Sequence, residues 1–461
     1  MTLPARWKRS RGLLEGVKIE SPERVSRQGA VLLTMCAGMF LVQLDLTVVN
    51  VALPEMGARL HAGLAGLQWV VDGYTVVLAA LLLCGGAVGD ALGHRRVVVA
   101  GFVAFGLASA GCALAPSVPV LVGFRVLQGL GAALLLPGTL AVITRAFPWR
   151  REQARALGIW AGVSALALPA GPLLGGVLVS VGGWRWLFWI NPPLVVAAVA
   201  LTVRFVPDTG RTGRRIDLAG AVTAAAALAA IVFGVIERAP LGAAVAVLAG
   251  AVFVLVERRV ADPMLSRALL RSRQFAGANV VAGVMNFVGQ GTILVITLYL
   301  QEVLGYAPLE AAVRMLPGFL PLALLAPVTG RLTGRFGPRP LMIAGLAVGA
   351  VSMLNLLRVG PGTGYATFVP TWAGLGLGMG LLTAAVVAAA VGGVPGEHAG
   401  VASGVNNTAR QASGSIGVAV LGTIVGEPAQ HGVFFAGLHT VGLLAAALWV
   451  TAIAITAGTV R

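Results

Sequence analysis

Long apolar segments constrain the fold of this chain more than any other feature. A helix needs about 20 mostly apolar residues to cross the hydrocarbon core of a bilayer. Only 11% of the 461 residues are charged, against roughly 25% in a soluble domain. The sequence therefore predicts an all-α polytopic membrane protein. Its fourteen predicted spans lie near residues 30–54, 67–89, 97–115, 119–145, 154–181, 185–204, 217–236, 241–257, 276–301, 310–331, 339–358, 365–391, 400–425 and 434–457.

The distribution of Lys and Arg predicts the orientation, because positive residues concentrate in short cytoplasmic loops. With fourteen spans, 26 of the 33 Lys and Arg residues fall on the side of the N-terminus and four on the opposite side. The remaining three, Arg125, Arg314 and Arg410, lie at membrane depth. We therefore expect both termini in the cytoplasm. The net charge of +16 is divided among short loop clusters, which argues against nucleic acid as a partner.

A weak internal repeat predicts two similar halves. The loop at Gly86–Arg95 is echoed at Gly330–Arg339, and each loop follows the second span of its half. Parallel repeats of this kind are a transporter architecture. We predict two six-helix bundles with two additional central helices between them. The predicted divisions are a cytoplasmic N-terminal basic segment (1–29), an N-terminal bundle (30–204), a linker with the two additional helices (205–275), a C-terminal bundle (276–457) and a cytoplasmic tail (458–461).

Residue patterns for enzymatic chemistry are missing from the sequence. The three cysteines, Cys36, Cys84 and Cys112, are scattered through apolar segments, and the five histidines have no ligand spacing. We interpret the cysteines as small packing residues. We find neither a nucleotide-binding loop nor a Ser-His-Asp arrangement with supporting context. We therefore predict that the chain is not an enzyme and needs no cofactor or metal.

Several motifs along the chain resemble those of the major facilitator superfamily, in its fourteen-span drug:proton antiporter branch. Together they extend from about residue 30 to near the end of the chain. They are Leu44-Asp45-Leu-Thr47-Val-Val-Asn50-Val-Ala-Leu-Pro54, the loop at 86–95, Arg125-Val-Leu-Gln128-Gly129-Leu-Gly131, Gly171-Pro172-Leu-Leu-Gly175-Gly176, and Ser403-Gly-Val-Asn406-Asn407-Thr-Ala-Arg410-Gln411.

This resemblance implies a proton-coupled antiporter in the cytoplasmic membrane of a bacterium. Such a protein would export amphipathic drugs or antibiotics by alternating access between its two halves, and we expect it to work as a monomer. Two alternatives stay open at this point. One is a facilitator-type permease or exporter for a metabolite, peptide or lipid, and the other is a membrane sensor or scaffold that transports nothing.

The sequence also departs from the pattern of this branch. Ala91 stands where an Arg is usual after Asp90, and the following basic pair begins with His94. In the fifth predicted helix, Ala167 replaces a usual Gly. Asp72 occupies a position where we expect a neutral residue, which would suit a different coupling stoichiometry or a cationic substrate.

Three charged residues within predicted spans are candidates for proton coupling, because intramembrane charge is costly and usually functional. By helix rise, Asp45 lies ~22 Å from the cytoplasmic end of its helix, while Asp72 and Arg125 lie ~8 and ~9 Å from the outer ends of theirs. All three therefore share a similar depth. We expect Asp45 to exchange the proton beside Arg125. A static ion pair between two helices is the alternative for Asp45 and Arg125, and a water-facing position is the alternative for Asp72.

The resemblance and local chemistry indicate two further groups of candidate residues. A gating or conformational role, rather than ordinary loop and packing roles, is expected for Asp90, Gly93, Arg95, Arg96, Gly171, Pro172, Gly175 and Gly176. Polar side chains at membrane depth line either a substrate cavity or a helix contact. These cavity candidates are Asn50, Gln128, Asn406, Asn407, Arg410 and Gln411.

Overall fold

The computed structural model describes residues 22–208, 218–236, 240–259, 271–394 and 399–460, and these residues contain helices but no strand. We number the helices of this described part α1 to α14. They are α1 (Pro22–Leu60), α2 (Leu64–Leu92), α3 (His94–Leu114), α4 (Val118–Ala146), α5 (Arg150–Gly182), α6 (Trp186–Trp189 and Asn191–Phe205), α7 (Leu218–Ile236), α8 (Pro240–Arg259), α9 (Arg273–Leu298, continued by a π-helical turn at Tyr299–Val303), α10 (Pro308–Arg314 and Leu316–Phe336), α11 (Pro338–Leu354), α12 (Tyr365–Gly392), α13 (Ala399–Val425) and α14 (His431–Thr459).

The predicted apolar segments fall on these helices, as expected where lipid offers the backbone no hydrogen-bond partner. Within the described residues, nine helices are long and apolar enough to cross a membrane, and eleven if two bent pairs each count as one span. The bent pairs lie in α5 (43°) and α10 (44°). Pro169 and Pro172 explain the bend of α5, because proline removes a helical hydrogen bond. The chain is therefore a multi-pass membrane protein, while the count of fourteen spans and the cytoplasmic termini stay predictions.

The helix packing repeats along the chain. In the first half, α1 packs on α5, α2 on α4, and α3 on both α4 and α6. In the second half, α9 packs on α13, α10 on α12, and α11 on both α12 and α14. The second set is the first set shifted by eight helices, which is the arrangement that the echo of the 86–95 loop indicates.

Two principal contacts join these halves, and the additional helices lie beside one of them. The first contact is between α2 and α13, and the second is between α5 and α10. Helices α7 and α8 pack on each other, and α7 also packs on both α2 and α13. The α2–α13 contact is therefore covered by a third helix. Residues 1–21 of the predicted basic N-terminal segment lie outside the described part of the chain.

Candidate functional site

A buried charge cluster lies inside the first half of the molecule. Asp45 of α1 forms an ion pair with Arg125 of α4, and both side chains are almost fully buried. Gln128, one turn after Arg125, donates its amide Nε2 to the other Asp45 oxygen, Oδ1, at 2.9 Å. Arg125 Nη1 also donates to Gln128 Oε1 at 2.9 Å. The three residues form a closed network in which both carboxylate oxygens are bonded.

Helices α2 and α3 complete the surroundings of this network. Arg125 Nε donates to the Val70 carbonyl at 2.9 Å, and the guanidinium carbon lies 4.4 Å from the centre of the Tyr74 ring. Tyr74 in turn donates its hydroxyl to the Val42 carbonyl at 3.1 Å. Cys112 Sγ lies 3.7 Å from Gln128 Oε1. The guanidinium is thus held by a carboxylate, a carbonyl and an aromatic face, the partners that suit a desolvated Arg.

This geometry brings Asp45 and Arg125 together, which is consistent with their similar predicted depths. The pair and its partners lie on α1, α2, α3 and α4, all within one half. Each Asp45 oxygen accepts a hydrogen bond, and the adjacent Arg125 cation favours the ionised carboxylate over the protonated form. The arrangement therefore allows exchange between a paired and a protonated carboxyl group, provided that Arg125 or Gln128 moves away.

Asp72 is at a different place from the Asp45–Arg125 pair, although the predicted depths align all three. It is fully buried on α2, and its Oδ1 accepts a hydrogen bond from Thr75 at 3.2 Å. Within the described part of the chain, its Oδ2 has no hydrogen-bond partner. Thr75 also accepts a hydrogen bond from Ser415 of α13 at 2.5 Å. Depth alone could not distinguish these positions, because it does not define which face of α2 carries Asp72.

A small cavity lies beside this second acid, between the two halves. It offers room for about one water-sized molecule. Four polar side chains contribute to its wall, two of them amides and two hydroxyls. The lining residues are Leu46, Val71, Thr75, Gln290, Gln411, Gly414, Ser415 and Val418.

The predicted gating loop is a sharp turn between α2 and α3. Gly93 has a φ of 95°, a backbone region that favours glycine, and ends α2 directly before α3 begins. Arg95 donates to the Val203 carbonyl near the end of α6 at 2.6 Å, and Arg96 pairs with Asp208 at 3.0 Å. These two arginines therefore attach the start of α3 to the end of α6. The side chain of Asp90 lies outside the described part of the structure.

The Gly-Pro motif of α5 makes contacts in two directions. Gly171 and Gly175 face α1, where a Cβ atom on Gly175 would lie 3.0 Å from the Val48 carbonyl oxygen. Gly176 faces the other half, where its Cβ would lie 2.6 Å from the Cα of Leu309 on α10. Pro172 is buried between these glycines. The motif thus provides close packing within the first half and across the α5–α10 contact.

The substrate-cavity candidates occupy different surroundings. Asn50 is buried and donates to the Leu46 carbonyl of its own helix, and Gln128 belongs to the Asp45 network, so neither lines the cavity between the halves. Gln411 does line that cavity.

The other three candidates lie together on α13. Asn406 donates to Asn279 of α9 at 3.2 Å. Asn407 is half-buried, and so is Arg410, whose Nε has no hydrogen-bond partner among the described residues.

Several residues of these sites were not predicted from sequence. Thr75 lies three residues after Asp72, which is one helical turn, so this local pair could have been recognised. Ser415 and Gln290 carried no such signal. Their roles depend on how α2, α9 and α13 pack, which no local sequence pattern specifies.

The many apolar helices, the repeated packing and the charge pair buried within a bundle together define a polytopic membrane transport protein. Comparison with known sequences makes this more specific, since residues 35–418 match the Major Facilitator Superfamily. The chain belongs to this superfamily, as its motifs indicate.

Curated relatives include resistance and export proteins. The chain is 36% identical over 410 residues to a multidrug resistance protein, Stp, of Mycobacterium tuberculosis, covering 86% of this chain and 76% of that protein. It is 35% identical to the tetracenomycin C resistance and export protein of Streptomyces glaucescens, covering 87% of this chain and 76% of that protein. It is 37% identical to the puromycin resistance protein pur8 of Streptomyces alboniger, covering 85% and 81% respectively.

Solved structures share the fold at low sequence identity. One is a bacterial homologue of the human drug peptide transporters PepT1 and PepT2, with a TM-score of 0.67, 15% identity, and coverage of 93% of this chain and 98% of that one. A peptide transporter in complex with sulfate has a TM-score of 0.69 and 17% identity, with 93% and 95% covered. At this identity the likeness concerns the fold alone.

Proposed function

We propose that this protein is a proton-coupled antiporter that exports amphipathic drugs or antibiotics across the bacterial cytoplasmic membrane. The names of its relatives, which are multidrug, tetracenomycin C and puromycin resistance proteins, support a drug-like substrate. We further propose fourteen spans, cytoplasmic termini, two six-helix halves at 30–204 and 276–457, and a functional monomer. The repeated packing and the clustered arginines support this organisation.

The observation that carries the proposed coupling is the ion pair between Asp45 and Arg125. Desolvating two charges is expensive, and apolar residues of similar volume are often as stabilising as a buried pair. Stability alone is therefore a weak explanation for a pair retained inside a helical bundle, and this supports a functional role. Burial favours the neutral form of a carboxyl group and a nearby Arg favours the ionised form. Movement of Arg125 away from Asp45 would allow the carboxyl to load a proton, and its return would expel the proton.

Alternating access would connect this exchange to export. In the outward-open state, the carrier releases its substrate and takes up a proton from outside. Return to the inward-open state brings the proton to the cytoplasmic side, where substrate binding follows its release. The cavity between the halves, with Gln411 in its wall, is the proposed region of substrate passage. Residues Asp90, Gly93, Arg95, Arg96 and the Gly-Pro motif would support the movement of the halves.

The test of this function is transport in proteoliposomes under an imposed pH gradient. We expect wild-type protein to move cationic or neutral amphipathic dyes against their gradient, and we expect Asp45→Asn to reduce this flux to the level of empty liposomes. Glu302→Gln is the matched control, because it changes an exposed carboxyl to an amide. Gradient-driven flux by Asp45→Asn equal to wild type would contradict the assignment.

A susceptibility panel tests the substrate class. Overexpression in a sensitive bacterial host should raise the tolerated concentration of some amphipathic compounds, and Asp45→Asn should remove that gain. The panel should contain cationic, neutral and anionic toxic compounds. No protection against any of them would argue for the facilitator-type alternative.

A further inference from the structure

Hydrogen bonds between described residues of α2 and α13 lie toward the start of α2 and the end of α13. Gln68 of α2 donates its amide to the carbonyls of Val418 and Ala419 at 3.2 and 3.0 Å. Glu427, just after α13, accepts a hydrogen bond from the Leu64 amide at the start of α2 at 3.0 Å. These bonds, with that between Ser415 and Thr75, occupy the first three turns of α2 and the last three of α13.

Other contacts between the halves lie at the same end. Gly176 approaches Leu309 near the end of α5 and the start of α10. Gln301, at the end of α9, donates to the Val51 carbonyl of α1 at 2.9 Å. In the predicted topology, all these helix ends face the outside of the cell. The structure therefore shows the halves closed against each other at their outer ends.

Asp72 lies within this closed region, between Gln68 and Thr75 along α2. It is bonded through Thr75 to Ser415 of the opposite half, its second oxygen is unbonded, and the small polar cavity adjoins this chain of hydroxyls. Asp45 of α1 and Arg125 of α4, which share its predicted depth, are paired with each other within the first half. Helix α7 carries no charged residue, and Arg410 is the only one within α13. No described cation pairs with Asp72.

We propose that Asp72, Thr75 and Ser415 form an outer latch, in which a proton bound to the free oxygen of Asp72 holds the two halves closed toward the outside. An ionised carboxylate without a cationic partner is strongly disfavoured in a dry contact, whereas a protonated one is tolerated. Opening of the contact admits water, which can solvate the ionised form. Closure and protonation at Asp72 are therefore linked and stabilise each other.

This inference rests on the proposed function and extends it by a second proton site at the joint between the halves. Asp45 and Arg125 can respond to a proton within one half, whereas the outer latch connects a buried acid to the relative position of both halves. In the proton step, the O–H bond at Asp72 forms with a proton from outside water. That bond later breaks toward the cavity lined by Gln290 and Gln411. Proton loading from outside would thus drive return to the inward-open state, as an exporter requires.

The latch is tested by the distance between the outer ends of the halves, without substrate or gradient. Arg59 and Ala429 are exposed near the outer ends of α1 and α13, and Arg59→Cys with Ala429→Cys accepts spin labels. The three native cysteines are buried. Samples that carry only one of the two introduced cysteines show whether the spin label also attaches to the native ones. In nanodiscs, we expect a short distance between the two spin labels to dominate at acidic pH. The population with a longer distance should increase as the pH rises.

Three variants separate the latch from other titrating groups. Asp72→Asn should keep the short distance at all pH values, because its side chain stays neutral. Asp45→Asn and Glu427→Gln should retain the pH-dependent change. A wild-type pH response in Asp72→Asn, or loss of the response in Asp45→Asn alone, would overturn the proposal.

Ser415→Ala provides an independent arm, since it preserves the acid and removes the hydrogen bond that joins Ser415 to Thr75 across the halves. Loss of one neutral hydrogen bond should shift the population toward the longer distance by about fivefold. Thr408→Ala is its control, because the Thr408 hydroxyl lies on the same helix without a hydrogen-bond partner in the described structure. An unchanged population in Ser415→Ala would contradict the latch.

Flux measurements distinguish the two proposals. Drug export with a distance change independent of Asp72 would refute the latch and leave the antiporter. A pH-dependent contact in a protein that exports no drug would refute the proposed substrate class and leave the latch.

Discussion

At the scale of single residues, Gln128 has a specific role beside the Asp45–Arg125 pair. Its amide group gives a hydrogen bond to Asp45 and receives one from Arg125, so it satisfies both members of the pair at once. An apolar replacement would leave one carboxylate oxygen unbonded in a dry bundle. Buried polar groups without partners cost about 1–3 kcal/mol each.

We therefore expect Gln128→Leu to lower the thermal unfolding midpoint in detergent, with a loss of about 1–3 kcal/mol in stability. Transport driven by a pH gradient should decrease in parallel, because the Asp45 carboxylate would lose a bond that favours its ionised form. Fluorescence-detected unfolding gives the midpoint. Leu127→Ala is the control on the same helix, since Leu127 is half-exposed at the bundle surface. Equal midpoints for Gln128→Leu and wild type would show that the amide is dispensable.

Sequence reasoning was effective for this pair and incomplete for Asp72. Asp45 and Arg125 could be matched because both are charged, both lie in long apolar segments, and helix rise gives their depth. The direction in which a side chain leaves its helix is not contained in depth. For that reason, the shared depth of Asp72 and the pair did not show that Asp72 lies between the halves. Ser415 carried no sequence signal of its own.

At the scale of helices, the glycines of α5 determine how closely three helices approach. Gly171 and Gly175 allow contact with α1, and Gly176 allows contact with α10 of the other half. The sequence predicted a gating or conformational role for this motif. That it faces two partners at once became apparent only with the packing, because a glycine pattern specifies close approach and does not specify the approaching helix.

Gly176→Ala should disturb the α5–α10 contact, since its Cβ would meet the backbone of α10 at 2.6 Å. Overpacking of this kind costs typically about 1–3 kcal/mol. We expect reduced transport and a longer distance between labels at the outer ends of α5 and α10. Gly162→Ala on the same helix is the control, because its Cβ would have open space. Similar behaviour of the two variants would mean that the contact tolerates a methyl group.

At the scale of the whole molecule, the halves and their repeat were accessible from sequence, whereas the place of the additional helices was not. Apolar segment length and the repeated loop predicted a helical membrane protein with two similar units, while the predicted number of fourteen spans stays a prediction. The linker sequence shows only that α7 and α8 are apolar. It contains no information on which side of the molecule they occupy, because that depends on surfaces formed by α2 and α13 together.

Helix α7 packs on both halves at the latch-bearing contact. Leu228 and Val232 of α7 share an apolar cluster with Val76 of α2 and Ala419 of α13, and Phe233 lies 6.3 Å from the ring of Trp69. Each of these contacts stabilises the closed position, because opening would separate α7 from at least one of its partners.

Val232→Ala should therefore shift the distance between the outer ends of the halves toward its open value, and it should raise the pH dependence of that shift. The stability of the closed state should fall by about 0.5–3 kcal/mol, which is typical of a single core substitution. Val222→Ala is its control, since Val222 lies on the same helix and is largely exposed. The readout is the spin-label distance used for the latch. A closed population identical to that of wild type would indicate that α7 follows the halves passively.

The covering of the α2–α13 contact by α7 also decides what the surrounding lipid can sense. Acyl chains meet the outer surface of a helix there instead of the joint that opens and closes. Changes in bilayer thickness or acyl-chain order act on exposed protein surfaces, and this joint is shielded from them by its own chain. Under the proposed mechanism, the position of this joint would depend on protons and on packing within the protein, and much less on the lipid composition of the membrane.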